Sequence, residues 1–229
     1  MVFSICLAPT SCYGSSIELA RCVGHGSQVV FDPNVEFLLR RQAKAALRKR
    51  ARALRNSIPD RARAERSEKI VERVVTSVPF ERARGVASFW PMLERGEVDV
   101  RGIDAAARKK GLSVAYPFLR NDAEMALLCC DASSLVERGH GFAEPPENAP
   151  ELTVSEGVVV IVPALAVDPT GQRIGYGMGF YDRLLALICP PAFAIAVAYD
   201  FEVVPEVPAT EHDRRVDMVV TDLRTWQIT

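Results

Sequence analysis

Val158-Val159-Val160-Ile161-Val162 is read as delivering the chain directly to Gly171-Gln172-Arg173-Ile174-Gly175-Tyr176-Gly177-Met178-Gly179-Phe180-Tyr181-Asp182-Arg183, and this succession decides the fold. The first segment is β-branched and apolar on both faces, as a central strand covered on two sides must be. In the second, alternate glycines leave backbone N–H groups uncovered and free to adopt positive φ, so the chain can wrap around an anion. Arg183 to Ile188 continues as a helix stopped by Cys189-Pro190-Pro191, and Phe193 to Ala198 returns as a strand. A strand, loop, helix and strand in that order form a βαβ unit. Ligands of such sheets collect at the carboxyl ends of the strands, where a helix N-terminus favours phosphate.

The same alternation extends outward in both directions. Val86 to Trp90 reads as a strand, Val100 to Lys110 as a helix, Leu112 to Pro117 and Met125 to Cys129 as strands, and Met218 to Val220 as a last strand. The expected class is therefore α/β with a largely parallel sheet. From Asn34 to Ser77 the pattern is helical, with Phe37, Leu38, Ala45, Leu47, Ala51 and Leu54 at helical spacing until Ile58-Pro59-Asp60 interrupts, then Ile70, Val71, Val74 and Val75 on a second helix. Residues 1–33 are broken by Ser, Gly and Cys clusters and read as an appended or poorly ordered extension; 34–229 read as one domain.

A chain of 229 residues with 48% hydrophobic content can bury a substantial core, and a net charge of −1 gives no general bias toward nucleic acid or membrane. Six cysteines without a Cys-x-x-Cys pair signal neither a zinc ribbon nor a redox motif. No apolar run approaches the roughly 20 residues of a membrane span. These features lead to the expectation of a cytoplasmic, soluble protein.

The glycine loop is not a dinucleotide fingerprint, because Gly175-Tyr176-Gly177-Met178-Gly179 lacks the Gly-x-Gly-x-x-Gly spacing, nor a Walker loop, because no Gly-Lys-Ser or Gly-Lys-Thr closes it. A plain glycine turn with Tyr181 in the core stays open beside a phosphate cradle. Asp182 stands where a carboxylate either caps a helix or holds Mg2+ against phosphate oxygens. The segment Glu211-His212-Asp213-Arg214-Arg215-Val216-Asp217 is either an exposed charged turn or the source of a second carboxylate for that metal. Within the basic run from Arg40 to Arg55, Lys44 and Arg48 lie at i and i+4 and can clamp a polyphosphate; the alternative is a solvated helix face. Glu97 follows the strand ending at Trp90 and either hydrogen-bonds a heterocycle's N–H groups or caps the next helix. Gly141-Phe142-Ala143-Glu144-Pro145-Pro146 is stiffened by its prolines and reads as a pocket wall.

Lys44-x-x-x-Arg48, Gly96-Glu97-Val98-Asp99, Gly141 to Pro145, Val162-Pro163-Ala164-Leu165-Ala166-Val167-Asp168, the glycine loop and Glu211 to Asp217 together resemble the 5-formyltetrahydrofolate cyclo-ligase (methenyltetrahydrofolate synthetase) family, in order from about residue 40 to 222. The resemblance implies a three-layer α/β/α domain preceded by N-terminal helices. It also implies conversion of 5-formyltetrahydrofolate to 5,10-methenyltetrahydrofolate with ATP and Mg2+. By resemblance, Lys44, Arg48, Arg173, Ile174, Gly175, Tyr176, Gly177, Met178, Gly179, Phe180 and Tyr181 contact ATP, with Arg173 and Tyr181 catalytic. Asp182 and Asp213 hold the metal, and Trp90, Met92, Glu97, Tyr176 and Phe180 line the folate side. Phe180 stands where the family commonly has a tyrosine, and Val167 where a phenylalanine is frequent. A monomer acting on a small molecule is expected, with no membrane or nucleic-acid partner. The alternative is a nucleotide- or RNA-binding paralogue that uses the Arg-rich helix as a phosphate-backbone patch.

Overall fold

In this computed structural model the described residues are 33–121, 124–139 and 141–228. The expectation for residues 1–33 therefore lies almost wholly outside them. The chain divides into two units, residues 1–38 and 39–229, and every strand among the described residues belongs to the second. The helices are α1 (Pro33–Ser57), α2 (Asp60–Val75), α3 (Val78–Glu81), α4 (Arg101–Lys109) and α5 (Phe180–Ile188). The strands are β1 (Gly85–Ala87), β2 (Ser113–Leu119), β3 (Met125–Cys129), β4 (Val136–Glu137), β5 (Ala143–Glu144), β6 (Val158–Pro163), β7 (Ala166–Val167), β8 (Arg173–Ile174), β9 (Phe193–Val197), β10 (Met218–Val220) and β11 (Thr225–Gln227).

Seven strands form one sheet in the order β11-β10-β9-β6-β1-β2-β3, with β6 in the middle, as its unbroken apolar run requires. The five inner strands are parallel, while β3 and β11 close the edges antiparallel. Side chains alternate cleanly between the two faces. Val159, Ile161, Ile195, Val197 and Tyr116 join Ile70 and Val74 of α2 and Ile103 of α4 in one core. Val158, Val160, Val162, Ala194 and Ala196 join Leu184 and Leu185 of α5 in the other. The sheet is thus covered on both faces, which makes the domain three-layered as expected.

Two departures from the sequence reading shape the site. β1 stops at Ala87, not at Trp90. Its partners run further: β6 continues past Val160 to Pro163 along β9, and β2 continues past Ala115 to Leu119 along β3. Above Ala87 the sheet therefore parts, and Pro91, which has no N–H to offer a ladder, helps keep the chain from rejoining it. Secondly, β6 does not pass directly to the glycine loop. The antiparallel hairpin β7–β8 intervenes, with Ala166 opposite Ile174 and Val167 opposite Arg173. Asp168, fully buried, organises its turn by accepting from Thr170 N (2.8 Å), Thr170 Oγ1 (2.6 Å) and Gln172 N (3.2 Å), and from Val207 N (2.8 Å). At Gly171 (φ 84°) an added Cβ would lie 2.7 Å from the Val216 carbonyl oxygen, so only glycine lets these two backbones meet.

Helix α1 is held mainly by its basic side chains. Ala51 is buried and Leu47 packs on Ala166, Ile174 and Val207, but Phe37, Leu38 and Ala45 of the expected apolar face are exposed. Arg40 donates to the Ala209 carbonyl, Lys44 to Asp213, Arg48 to the Gly175 carbonyl and Arg55 to Glu202. Arg55 is the anchor. Its Nε bonds Glu202 Oε1 at 2.5 Å, and its Nη2 bonds Glu202 Oε2 at 3.2 Å and the Ala164 carbonyl at 2.6 Å, with side chains 3% and 0% exposed. From α2, Arg63 Nη1 caps the end of α1 by donating to the carbonyls of Arg55 (2.8 Å) and Ile58 (2.5 Å).

Truncating Arg55 to Ala leaves the Glu202 carboxylate buried without its cation, which costs about 3–5 kcal/mol. Urea denaturation of Arg55→Ala checks this, and Arg55→Ala/Glu202→Ala should lose less than the sum of the two single variants.

Candidate active site

Strands β1 and β6 are neighbours whose outgoing segments leave toward opposite edges of the sheet, β1 through α4 to β2 and β6 through α5 to β9. This is the topological switch point at which open α/β sheets bind ligands. A cavity of ≈ 520 Å³ lies there, at the carboxyl ends where the sheet parts. Pro117 and Leu119 of β2 and Pro163 of β6 contribute to its walls, with Phe89, Trp90, Met92 and Glu97 from the segment after β1 and the whole run from Arg173 to Asp182. Lys44, Arg48 and Asp213 complete it. All the residues expected at the site therefore line one cavity.

On the glycine-loop side, Arg48 Nε donates to the Gly175 carbonyl at 2.9 Å, and its guanidinium lies against Gly177 (φ 110°), where a Cβ would come 3.3 Å from Cζ. Burial, reinforced by repulsion from Arg52, holds Arg48 below the usual guanidinium range, so an anion here is favoured. Arg173 is buried, its Nη2 bonded to Asp182 Oδ1 at 3.0 Å and its guanidinium 5.9 Å from the Tyr181 ring centroid. Burial pushes the Tyr181 hydroxyl well above its usual value, keeping it a neutral donor. Arg173 Nε, Tyr181 Oη and Gln172 Oε1 are buried polar atoms without a partner in the protein. Such atoms are rare, and two of the three belong to Arg173 and Tyr181, which line the cavity.

The two aspartates are each pinned through one oxygen. Asp182 Oδ1 accepts from Arg173 Nη2 and from Arg214 N at 3.1 Å. Asp213 Oδ2 accepts from Lys44 Nζ at 2.5 Å, Thr210 N at 2.6 Å and Thr210 Oγ1 at 2.9 Å. Burial raises the Asp213 carboxyl, but Lys44 and Thr210 more than offset it and hold it below the usual carboxylate range. The second oxygen of each carboxylate has no partner among the described residues, so both can ligate without giving up their anchors. No cluster of three or more His, Cys, Asp or Glu occurs among the described residues. One or two hard carboxylate oxygens beside a phosphate cradle suit Mg2+, which takes its remaining ligands from water and phosphate. The capping reading of Asp182 is not realised: α5 starts at Phe180, three residues before Arg183, with Gly179 (φ 68°) as its N-cap and no side-chain cap. Nor is the Asp213 segment merely an exposed turn, although Glu211 and His212 are exposed.

On the opposite side, Glu97 is 4% exposed, with Oε1 accepting from the Tyr176 hydroxyl and Oε2 from Met92 N, both at 2.8 Å. It does not cap α4. Burial raises its carboxyl, and the Met92 and Tyr176 bonds only partly offset this. Burial and the neighbouring Glu97 keep the Tyr176 phenol protonated. Trp90 stands edge-on to Tyr116, with centroids 6.3 Å apart. The stiff loop after Gly141 does form a wall, through Phe142 and Ala143. Sequence reasoning assigned no site role to Leu119, Met125 or Arg95, which line the same cavity. The first two are ordinary apolar residues, and only the register of β2 with β3 brings Leu119 opposite Met125.

A sequence model of the 5-formyltetrahydrofolate cyclo-ligase family matches residues 40–222. The 5-formyltetrahydrofolate cyclo-ligase of Mycolicibacterium smegmatis is 41% identical over 120 residues, a match covering 50% of this chain and 62%, less than two thirds, of that protein. That of Escherichia coli K12 is 30% identical over 184 residues, covering 77% of this chain and 98% of that protein. Among solved structures, the NMR structure of Aquifex aeolicus 5,10-methenyltetrahydrofolate synthetase superposes with a TM-score of 0.69 at 26% identity, covering 81% of this chain and 92% of the other.

The raised Glu97 carboxyl gives a pH signature. Because its folded pKa lies above the unfolded one, its contribution to stability is fully present at low pH and is lost as pH rises through the folded value. Glu97→Gln, which keeps both acceptor positions occupied by polar groups, should exceed the wild type in urea midpoint at pH 7, with the gap closing on acidification. A gap that does not vary with pH contradicts this.

Proposed function

This chain belongs to the 5-formyltetrahydrofolate cyclo-ligase family, and from that premise we propose that it cyclises 5-formyltetrahydrofolate to 5,10-methenyltetrahydrofolate, releasing ADP and phosphate. The observation that carries the reading is a single cavity in which an anion-cradling loop faces an apolar wall ending in a buried carboxylate. When bound, ATP with Mg2+ supplies a phosphoryl group that turns the formyl oxygen into a leaving group, which the folate's own N10 displaces.

The chain's own residues would do the holding and the charge stabilisation. Lys44 and Arg48, one helical turn apart, would meet polyphosphate oxygens together with the backbone from Ile174 to Phe180. Asp182 and Asp213 would hold the magnesium through their uncommitted oxygens. Arg173, buried and with Nε to spare, would stabilise charge on the transferring group, and Tyr181 Oη would donate to it; in this reading both touch the reacting atoms. Glu97 would accept from the N–H groups of the folate heterocycle, packed between Trp90, Met92, Tyr176 and Phe180. The rigid strand ends would bring N10 and the formyl group together, the larger part of what a ring closure needs. Arg40, Lys44, Arg48 and Arg55 of the helix are turned inward onto this domain, which leaves the RNA-binding alternative only Arg41, Lys49, Arg50 and Arg52 as exposed cations of that run.

Purified protein given 5-formyltetrahydrofolate, ATP and Mg2+ should develop the near-ultraviolet absorbance of the methenyl product, and a folded sample without it contradicts the folate assignment. Asp182→Asn should lower turnover about a hundredfold, the scale of one lost transition-state contact. Unchanged turnover would remove Asp182 from the metal.

A further inference from the structure

Four cations line the cavity, and three have partners in the protein: Lys44 on Asp213, Arg48 on the Gly175 carbonyl and Arg173 on Asp182. The fourth, Arg95, has no hydrogen-bond or ion-pair partner among the described residues. We infer that Arg95 is a specificity-determining residue that receives the carboxylate tail of the folate substrate, an inference that rests on the function proposed above.

The position of Arg95 separates it from the phosphate machinery. It ends the 3-10 turn Leu93–Arg95, between the two residues that bound the heterocycle side, Met92 and Glu97. Its guanidinium lies over Gly141, where an added Cβ would come 2.8 Å from Nη2, and so sits beside the Phe142 wall. Gly141 has φ 78°, leaving the backbone low enough for the arginine to cross it. Arg95 is exposed, so it stands at the open rim and not in the interior. Its charge is felt by both Glu97 and Tyr176.

A folate bound with its heterocycle at Glu97 and its reacting atoms toward the glycine loop must send its glutamate away from both. The wall on that side is Phe142, Leu119 and Met125, which offers nothing to a carboxylate. The Arg95 guanidinium, unpaired among the described residues, does, since its planar donors match a carboxylate in two parallel hydrogen bonds. Partial exposure limits the gain, and a contact of this kind is worth about tenfold in affinity.

The test compares 5-formyltetrahydrofolate with 5-formyltetrahydropteroyl amide, which keeps the aryl amide but lacks both glutamate carboxylates, by isothermal titration of the full-length protein. Wild type should bind the tailed ligand about tenfold more tightly, the same one-contact scale. Arg95→Ala should abolish that preference by weakening the tailed ligand alone, and Arg95→Lys should restore part of it. Equal weakening of both ligands, or of neither, overturns the inference, with thermal denaturation confirming that each variant is folded. Wild-type binding of neither ligand overturns the proposed function along with it; wild-type turnover with the tail preference intact in Arg95→Ala overturns the Arg95 inference alone.

Discussion

The early end of β1 is the constraint that creates the site. Because β1 stops at Ala87 while β6 and β2 continue to Pro163 and Leu119, the sheet must part at its carboxyl edge, directly above the switch point. A parted sheet leaves apolar side chains of two long strands facing an opening. The chain fills part of it with the Ser88–Glu97 segment, and the Tyr176 hydroxyl reaches from the glycine loop to bond Glu97 across it. Substrate-sized space thus results from strand length, and the loops supply only its chemistry.

Electrostatics sets the second layer of organisation. Helix α1 carries too few buried apolar groups to dock by hydrophobic burial alone, and it is held by cations that reach carbonyls and carboxylates of the loops beyond β6, β8 and β9. Arg55 is buried and bonded through Nε and Nη2 to Glu202 and the Ala164 carbonyl, so it acts as a structural anchor. Lys44 and Arg48 are only partly buried and make fewer bonds, so they keep donors for an anion. In the proposed function one helix would serve both stability and binding, with the division set by depth along its axis.

The sheet's inner strands were legible because β-branched runs such as Val158 to Val162 have one physical solution once both faces are covered. The residues alone suggested a shared metal for Asp182 and the Glu211–Asp217 segment, the family resemblance added Lys44 and singled out Asp213, and all three line the one cavity. Four features were not legible. The termination of β1 depends on neighbours distant in sequence. The hairpin that Asp168 organises is made of two-residue strands, too short for any periodicity. That Arg95 has no hydrogen-bond or ion-pair partner among the described residues is a statement about what does not surround it, which composition does not carry. The start of α5 at Phe180 was missed because Gly179 serves as N-cap through its backbone conformation, with no side-chain cap.

A crystal structure with a non-hydrolysable ATP analogue, Mg2+ and 5-formyltetrahydrofolate tests the central claim most directly. The triphosphate should lie on the loop from Ile174 to Phe180, and the folate heterocycle should bond Glu97 in the opening above Ala87. A nucleotide or folate seated anywhere else would contradict the account.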